Sequence, residues 1–181
     1  MKNNFISYTI SFLWALFEAT FFFIIPDVWL SFNSVDSLKK GFKNMMFSIM
    51  GALLGGTLMF IFGSYDIAGV NNMLINIPLI DANIIHQVND SIQSDGLLAI
   101  FMGPLKGIPY KIYASYSGAL ALNYFMFILI SIFARGIRFS ISIIITNLLS
   151  RTLLIQVTLI NKRIIITILW LLIYIMYFSF N

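Results

Sequence analysis

The chain has no cysteine and a single histidine, His86. The first absence removes disulfides, thiolate metal sites and cysteine nucleophiles. The second argues against a histidine-built metal centre, and no nucleophile stands beside a base, so neither a cofactor nor an enzyme is expected. Charge is scarce as well. Asp, Glu, Lys and Arg make up 10% of the residues, against about 25% in a soluble domain. With 60% hydrophobic residues and a mean hydropathy of +0.92, a soluble fold has too little interior for the apolar surface. A polytopic membrane protein of one small domain is the class that fits. The sequence pI near 9.4 points to lipid rather than nucleic acid, because the basic residues cluster beside apolar runs, where they set orientation and meet anionic headgroups. Lys2 gives a minimal n-region, but Glu18 interrupts the first run and no small-x-small site follows, so no cleavable signal is expected.

What charge there is falls in telling places. The first apolar run, about 5–32, carries Glu18 and is broken by Pro26-Asp27. A basic loop follows, with Lys39, Lys40 and Lys43 against Asp36. The run 45–62 is uncharged, and its Gly51 and Gly55 form a GxxxG that permits close helix approach and leaves homo-oligomerisation open. Residues 63–96 hold Asp66, Asp81, Asp90 and Asp95 and no Lys or Arg. They read as a polar external segment with an amphipathic helix near 79–93, on which His86 is an ordinary surface residue. A short apolar piece, 97–105, leads into the broken stretch GPLKGIPYK. A spanning helix is expected over 112–134, closed at its cytoplasmic end by Arg135 and Arg138. Residues 139–160 read as interfacial or partly inserted, because a full crossing there would put Lys162 and Arg163 outside. A last apolar run covers about 164–178.

Two modules emerge, 10–62 and 97–138, on either side of 63–96 and followed by apolar segments over 139–181. Each has a proline-broken apolar piece and then a small-residue-rich helix. The first carries Glu18 and Asp27, the second Lys106 and Lys111. Unpaired backbone in hydrocarbon costs several kcal/mol per group, so a broken helix lines a cavity or is buried in protein. A charge at the bilayer centre costs roughly 2.5–3.5 kcal/mol on insertion scales. Glu18 and Asp27 facing Lys106 and Lys111 would offset one another, as in transporters built from repeats with broken helices. The bland alternative is an interfacial loop whose lysines snorkel to headgroups.

Four stretches resemble the DedA family, also called the VTT or SNARE-associated family, particularly its short YqaA-like branch. FEATFFFIIPDVWL looks like the family's first hairpin, and GALLGGTLMFIFG like the Gly-rich helix after it. GPLKGIPYKIYASYSGA is similar to the second hairpin, with Lys106, Pro109, Lys111 and Ser117-Gly118, and ARGIRF to the basic end of the next helix. The match spans about residues 10–140, with lysines where many members have arginines. The resemblance implies an all-α integral membrane protein of the bacterial inner membrane. Two re-entrant broken-helix hairpins, each followed by a transmembrane helix, would form an inverted-repeat-like core with extra C-terminal helices. It assigns Glu18, Asp27, Lys106 and Lys111 to a substrate and proton site and Arg135 and Arg138 to its support.

Three functions follow as expectations. The first is translocation of a phosphate-bearing lipid, such as a polyprenyl phosphate or phospholipid, with proton uptake at Glu18 or Asp27. The second is proton-coupled transport of a small ion or solute. The third is a membrane assembly or scaffold factor whose charges only hold the fold.

Overall fold

The computed structural model describes residues 2–180, without the side chains of residues 2, 3 and 180, so the reading of the Lys2 charge falls on a side chain that is not described. Helix is the regular structure throughout. α1 (Lys2–Glu18) ends where the first carboxylate interrupts the apolar run, and α2 (Asp27–Ser34) starts just after Pro26. Asp27 in the first turn of α2 suits the positive end of the helix dipole. α3 (Leu38–Tyr65) has 28 residues and is about 42 Å long. A polar cap follows, made of α4 (Ile67–Leu74) and α5 (Ala82–Asp95). The Asp66 and Asp81 carboxylates accept from the Gly69 and Ile84 backbone N–H groups and so cap α4 and α5. α6 (Leu97–Met102) leads to a 3₁₀ turn (Pro104–Lys106), then α7 (Tyr110–Ala119), α8 (Tyr124–Thr152) and α9 (Leu159–Phe180). α3, α8 and α9 are each long and apolar enough to cross a membrane.

α5 is the amphipathic helix anticipated near 79–93. Ile85, Val88 and Ile92 are buried at helical spacing, while His86 is exposed.

Direction follows from side-chain partners. Ser7 donates to Asn44, Ser48 to the Ser11 carbonyl, and Gly55 lies against Leu16 and Ala19, so α1 runs parallel to α3. Trp29 and Asn33 of α2 return to Ser11 and Ser7, so α2 runs back beside α1. The turn between them, 19–26, is a first tip, level with Gly55. From the opposite end, α6 descends to a second tip, 103–109. α7 then climbs beside α3, with Tyr110 at Gly56 and Gly118 at Phe60 and Ser64. α8 is antiparallel to α3, pairing Phe127 with Phe60 and Ser140 with Met45.

These contacts are close because glycine allows it. A Cβ at Gly51 would strike the Phe12 carbonyl, and one at Gly118 the Phe60 carbonyl. The GxxxG of α3 therefore packs α1 within the chain.

Two expectations need correction. Residues 112–134 are not one helix: α7 stops at Ala119, Ala121 adopts φ +50°, and α8 starts at Tyr124. The Asn123 side chain accepts from the Met126 N–H at 3.1 Å and caps that start. Nor do residues 139–152 begin a separate segment, because they are the second half of α8. Arg135 and Arg138 thus do not close a helix. Arg135 stands about 17 Å from the Tyr124 end of a helix roughly 44 Å long.

The moved break also resolves the charge pattern. Lys162 donates to the Ser150 carbonyl at 2.7 Å, and Arg163 pairs with Asp36. Hence Lys39, Lys40, Lys43, Arg151, Lys162 and Arg163 gather at one end of the molecule, with the Asp-rich cap at the other.

Candidate functional site

The first tip has broken backbone whose polar groups find partners on three other elements. The Phe22 carbonyl accepts from Lys111 Nζ at 2.6 Å, the Ile24 carbonyl from Trp14 Nε1 at 2.9 Å, and the Ile25 N–H donates to the Tyr174 hydroxyl at 3.0 Å. Lys111, on the first turn of α7, thereby ties the second module to the first.

The carboxylates at either edge of this tip have arginine partners. Glu18 Oε2 is 2.9 Å from Arg135 Nη2, with both side chains almost fully buried. Asp27 Oδ2 is 3.2 Å from Arg138 Nη2, and Asp27 Oδ1 accepts from the Ser142 hydroxyl at 2.6 Å. Glu18 and Arg135 are close without being aligned as a hydrogen bond. The rest of the Arg135 guanidinium lies on aromatic faces, 4.3 Å from the Tyr110 ring centre and 5.7 Å from that of Phe139. Tyr110 in turn donates to Ser131 at 2.8 Å.

The acidic residues at the tips were expected to face the two lysines. The structure pairs them with Arg135 and Arg138, a planar cation being the better carboxylate partner away from water. It brings Lys111 to the same place but leaves Lys106 exposed at the end of its 3₁₀ turn, with no ion pair among the described residues. Ser142, Tyr110 and Tyr174 were not anticipated. Arg135, Arg138 and Ser142 at i, i+3 and i+7 share one helix face, and that spacing was the available signal.

A cavity of about 270 Å³ opens beside the tips. Glu18, Lys111 and Arg138 supply its charge, while Phe23, Ile108, Ile173 and the turn at 77–80 supply apolar wall. Leu79 in that turn has φ +70°, a left-handed conformation unusual for a branched side chain. Around the tips, three cations (Lys111, Arg135, Arg138) meet two carboxylates (Glu18, Asp27), an excess of one positive charge. The Phe22 carbonyl takes one of the three N–H donors of Lys111, which leaves donors for an anion entering the cavity.

No family model and no solved structure matches the sequence. An uncharacterized protein of Haemophilus influenzae is 27% identical over 138 residues, which cover 76% of this chain and 70% of that protein.

Proposed function

We propose that this protein is a DedA-like transporter of the bacterial inner membrane that translocates a phosphate-bearing lipid. α1–α2 and α6–α7 act as re-entrant hairpins that enter from opposite faces and meet at their tips. The basic end faces the cytoplasm. The observation that carries this reading is the uneven charge at the tips, three cations against two carboxylates, beside a cavity walled by apolar side chains. A phosphate matches the charge, and a hydrocarbon chain matches the wall. Lys111 and Arg138 hold the phosphate. Protonation of Glu18 or Asp27 frees an arginine to compete for the anion, which couples its capture or release to protons.

The arginine pairing itself favours a second reading, in which the charges only lock the fold of an assembly factor. Equilibrium binding to the detergent-purified chain separates the two. A polyprenyl phosphate is expected to bind at least about tenfold more tightly than its uncharged alcohol, since charge-assisted hydrogen bonds contribute roughly 1.5–3 kcal/mol. Lys111→Gln should remove that preference. Equal affinity for both lipids in the wild type would overturn the reading.

A further inference from the structure

α9 covers a second, largely apolar space that adjoins the charged cavity. A groove of about 240 Å³ runs between α2, α8 and α9. Ser31 of α2, Thr146 and Leu149 of α8, and Ile166 of α9 line it. Trp170 and Ile173 wall both this groove and the charged cavity, so the two adjoin beneath the same face of α9. The junction is marked chemically. Ser142, a groove residue, donates to the Asp27 carboxylate that pairs with Arg138, a cavity residue.

From Ser142 to Leu149 the groove follows about 10 Å of helix. It runs away from the charged tips toward the end of the molecule that carries Arg151, Lys162 and Arg163. α9 is held at both ends of this path, by the Tyr174 hydroxyl at the Ile25 N–H and by Arg163 at Asp36. Between those ties its inward face lines the two spaces. Ser31, Thr146 and Ile166 are buried, out of reach of lipid that merely surrounds the protein.

We infer that the groove beneath α9 is the binding slot for the hydrocarbon chain of a lipid whose phosphate lies at Lys111 and Arg138. This inference rests on the headgroup reading above and extends it. The occupant is one lipid molecule, with its anionic head at the tips and its chain pointing toward the basic end. The site is therefore loaded from the leaflet at that end, which the positive-inside pattern makes the cytoplasmic one. An apolar chain gains little by leaving other chains, so the phosphate anchors the lipid and the groove selects its path.

The test is photolabelling in vesicles that contain the full chain. The probe is a long-chain alkyl phosphate carrying a diazirine midway along its chain, with the uncharged alcohol of the same chain as control. The phosphate probe is expected to label Thr146, Ile166 and Ser31, and the alcohol to label outward-facing Ile144, Leu148 and Leu171. Lys111→Gln should lower groove labelling by the phosphate probe at least about fivefold without changing labelling outside. Phosphate-probe labelling confined to the outward residues would overturn the groove and leave the headgroup reading standing. Groove labelling that survives both Lys111→Gln and Arg138→Gln would overturn the headgroup reading and the inference with it. Equal groove labelling by the alcohol would also overturn the inference. Ile145→Trp, which fills the groove from α8, keeps the lysine in place and should block groove labelling alone; unchanged labelling in that variant counts against the slot.

Discussion

Glu18 Oε2 and Arg135 Nη2 lie 2.9 Å apart in the interior of the molecule, joining the end of the first helix to the middle of the eighth. Neither charge is screened by water, so removing one strands the other. Glu18→Gln and Arg135→Gln should each destabilise the protein by roughly 3–5 kcal/mol. The double substitution should recover much of that loss, because no lone charge remains. Thermal unfolding of the four proteins in one detergent reads this as a double-mutant cycle. Additive losses would show that the two charges do not depend on each other.

The two lysines of the second module should separate sharply. Lys111 is buried against the Phe22 carbonyl, whereas Lys106 is exposed and outside the cavity wall. Lys106→Gln is expected to keep phosphate-lipid transport within about twofold of wild type, because an exposed cation adds little. Lys111→Gln should abolish it. Initial rates at matched protein density decide the matter, and equal losses in the two variants would contradict this placement.

Glycine substitutions should sort by what a methyl group meets. At Gly118 it meets the Phe60 carbonyl, and at Gly136 the nearest atom is Ile49 Cδ1 at 3.9 Å. Gly118→Ala should lower the melting temperature markedly, through an overpacking cost of roughly 1–3 kcal/mol or more. Gly136→Ala should leave it unchanged or slightly higher, since alanine is the better helix former.

A chain without cysteine suits single-cysteine topology mapping. Lys39→Cys and Arg151→Cys should react with an impermeant thiol reagent from one side of the membrane, and Gln93→Cys from the other. Reaction of Lys39→Cys and Arg151→Cys from opposite sides would contradict the gathering of basic residues at one end.

The membrane class was legible in composition, and so were the breaks at Pro26 and Pro109 and the burial of Glu18, Asp27 and Lys111. Proline and buried charge are strong local signals. The partners of the carboxylates were not legible. Arg135 and Arg138 resembled a cytoplasmic helix end because basic residues usually stand there. The break that moves them to mid-helix lies at 120–123, where neither proline nor glycine marks it. Its one sequence signal is Asn123, an N-cap residue in an apolar run, and an isolated Asn is weak punctuation. Once α8 starts at Tyr124, the i, i+3, i+7 spacing of Arg135, Arg138 and Ser142 becomes a face, and that face partners the Glu18 and Asp27 carboxylates.

The account rests on the meeting tips being a lipid-phosphate site, and transport itself tests that most directly. A fluorescent polyprenyl phosphate is followed across proteoliposomes containing wild type or Lys111→Gln, with and without a pH gradient. The account predicts movement in wild type well above empty liposomes and its loss in Lys111→Gln, with the variant still folded by thermal unfolding. Movement no faster than in empty liposomes under either condition, or equal rates in the two proteins, would contradict it.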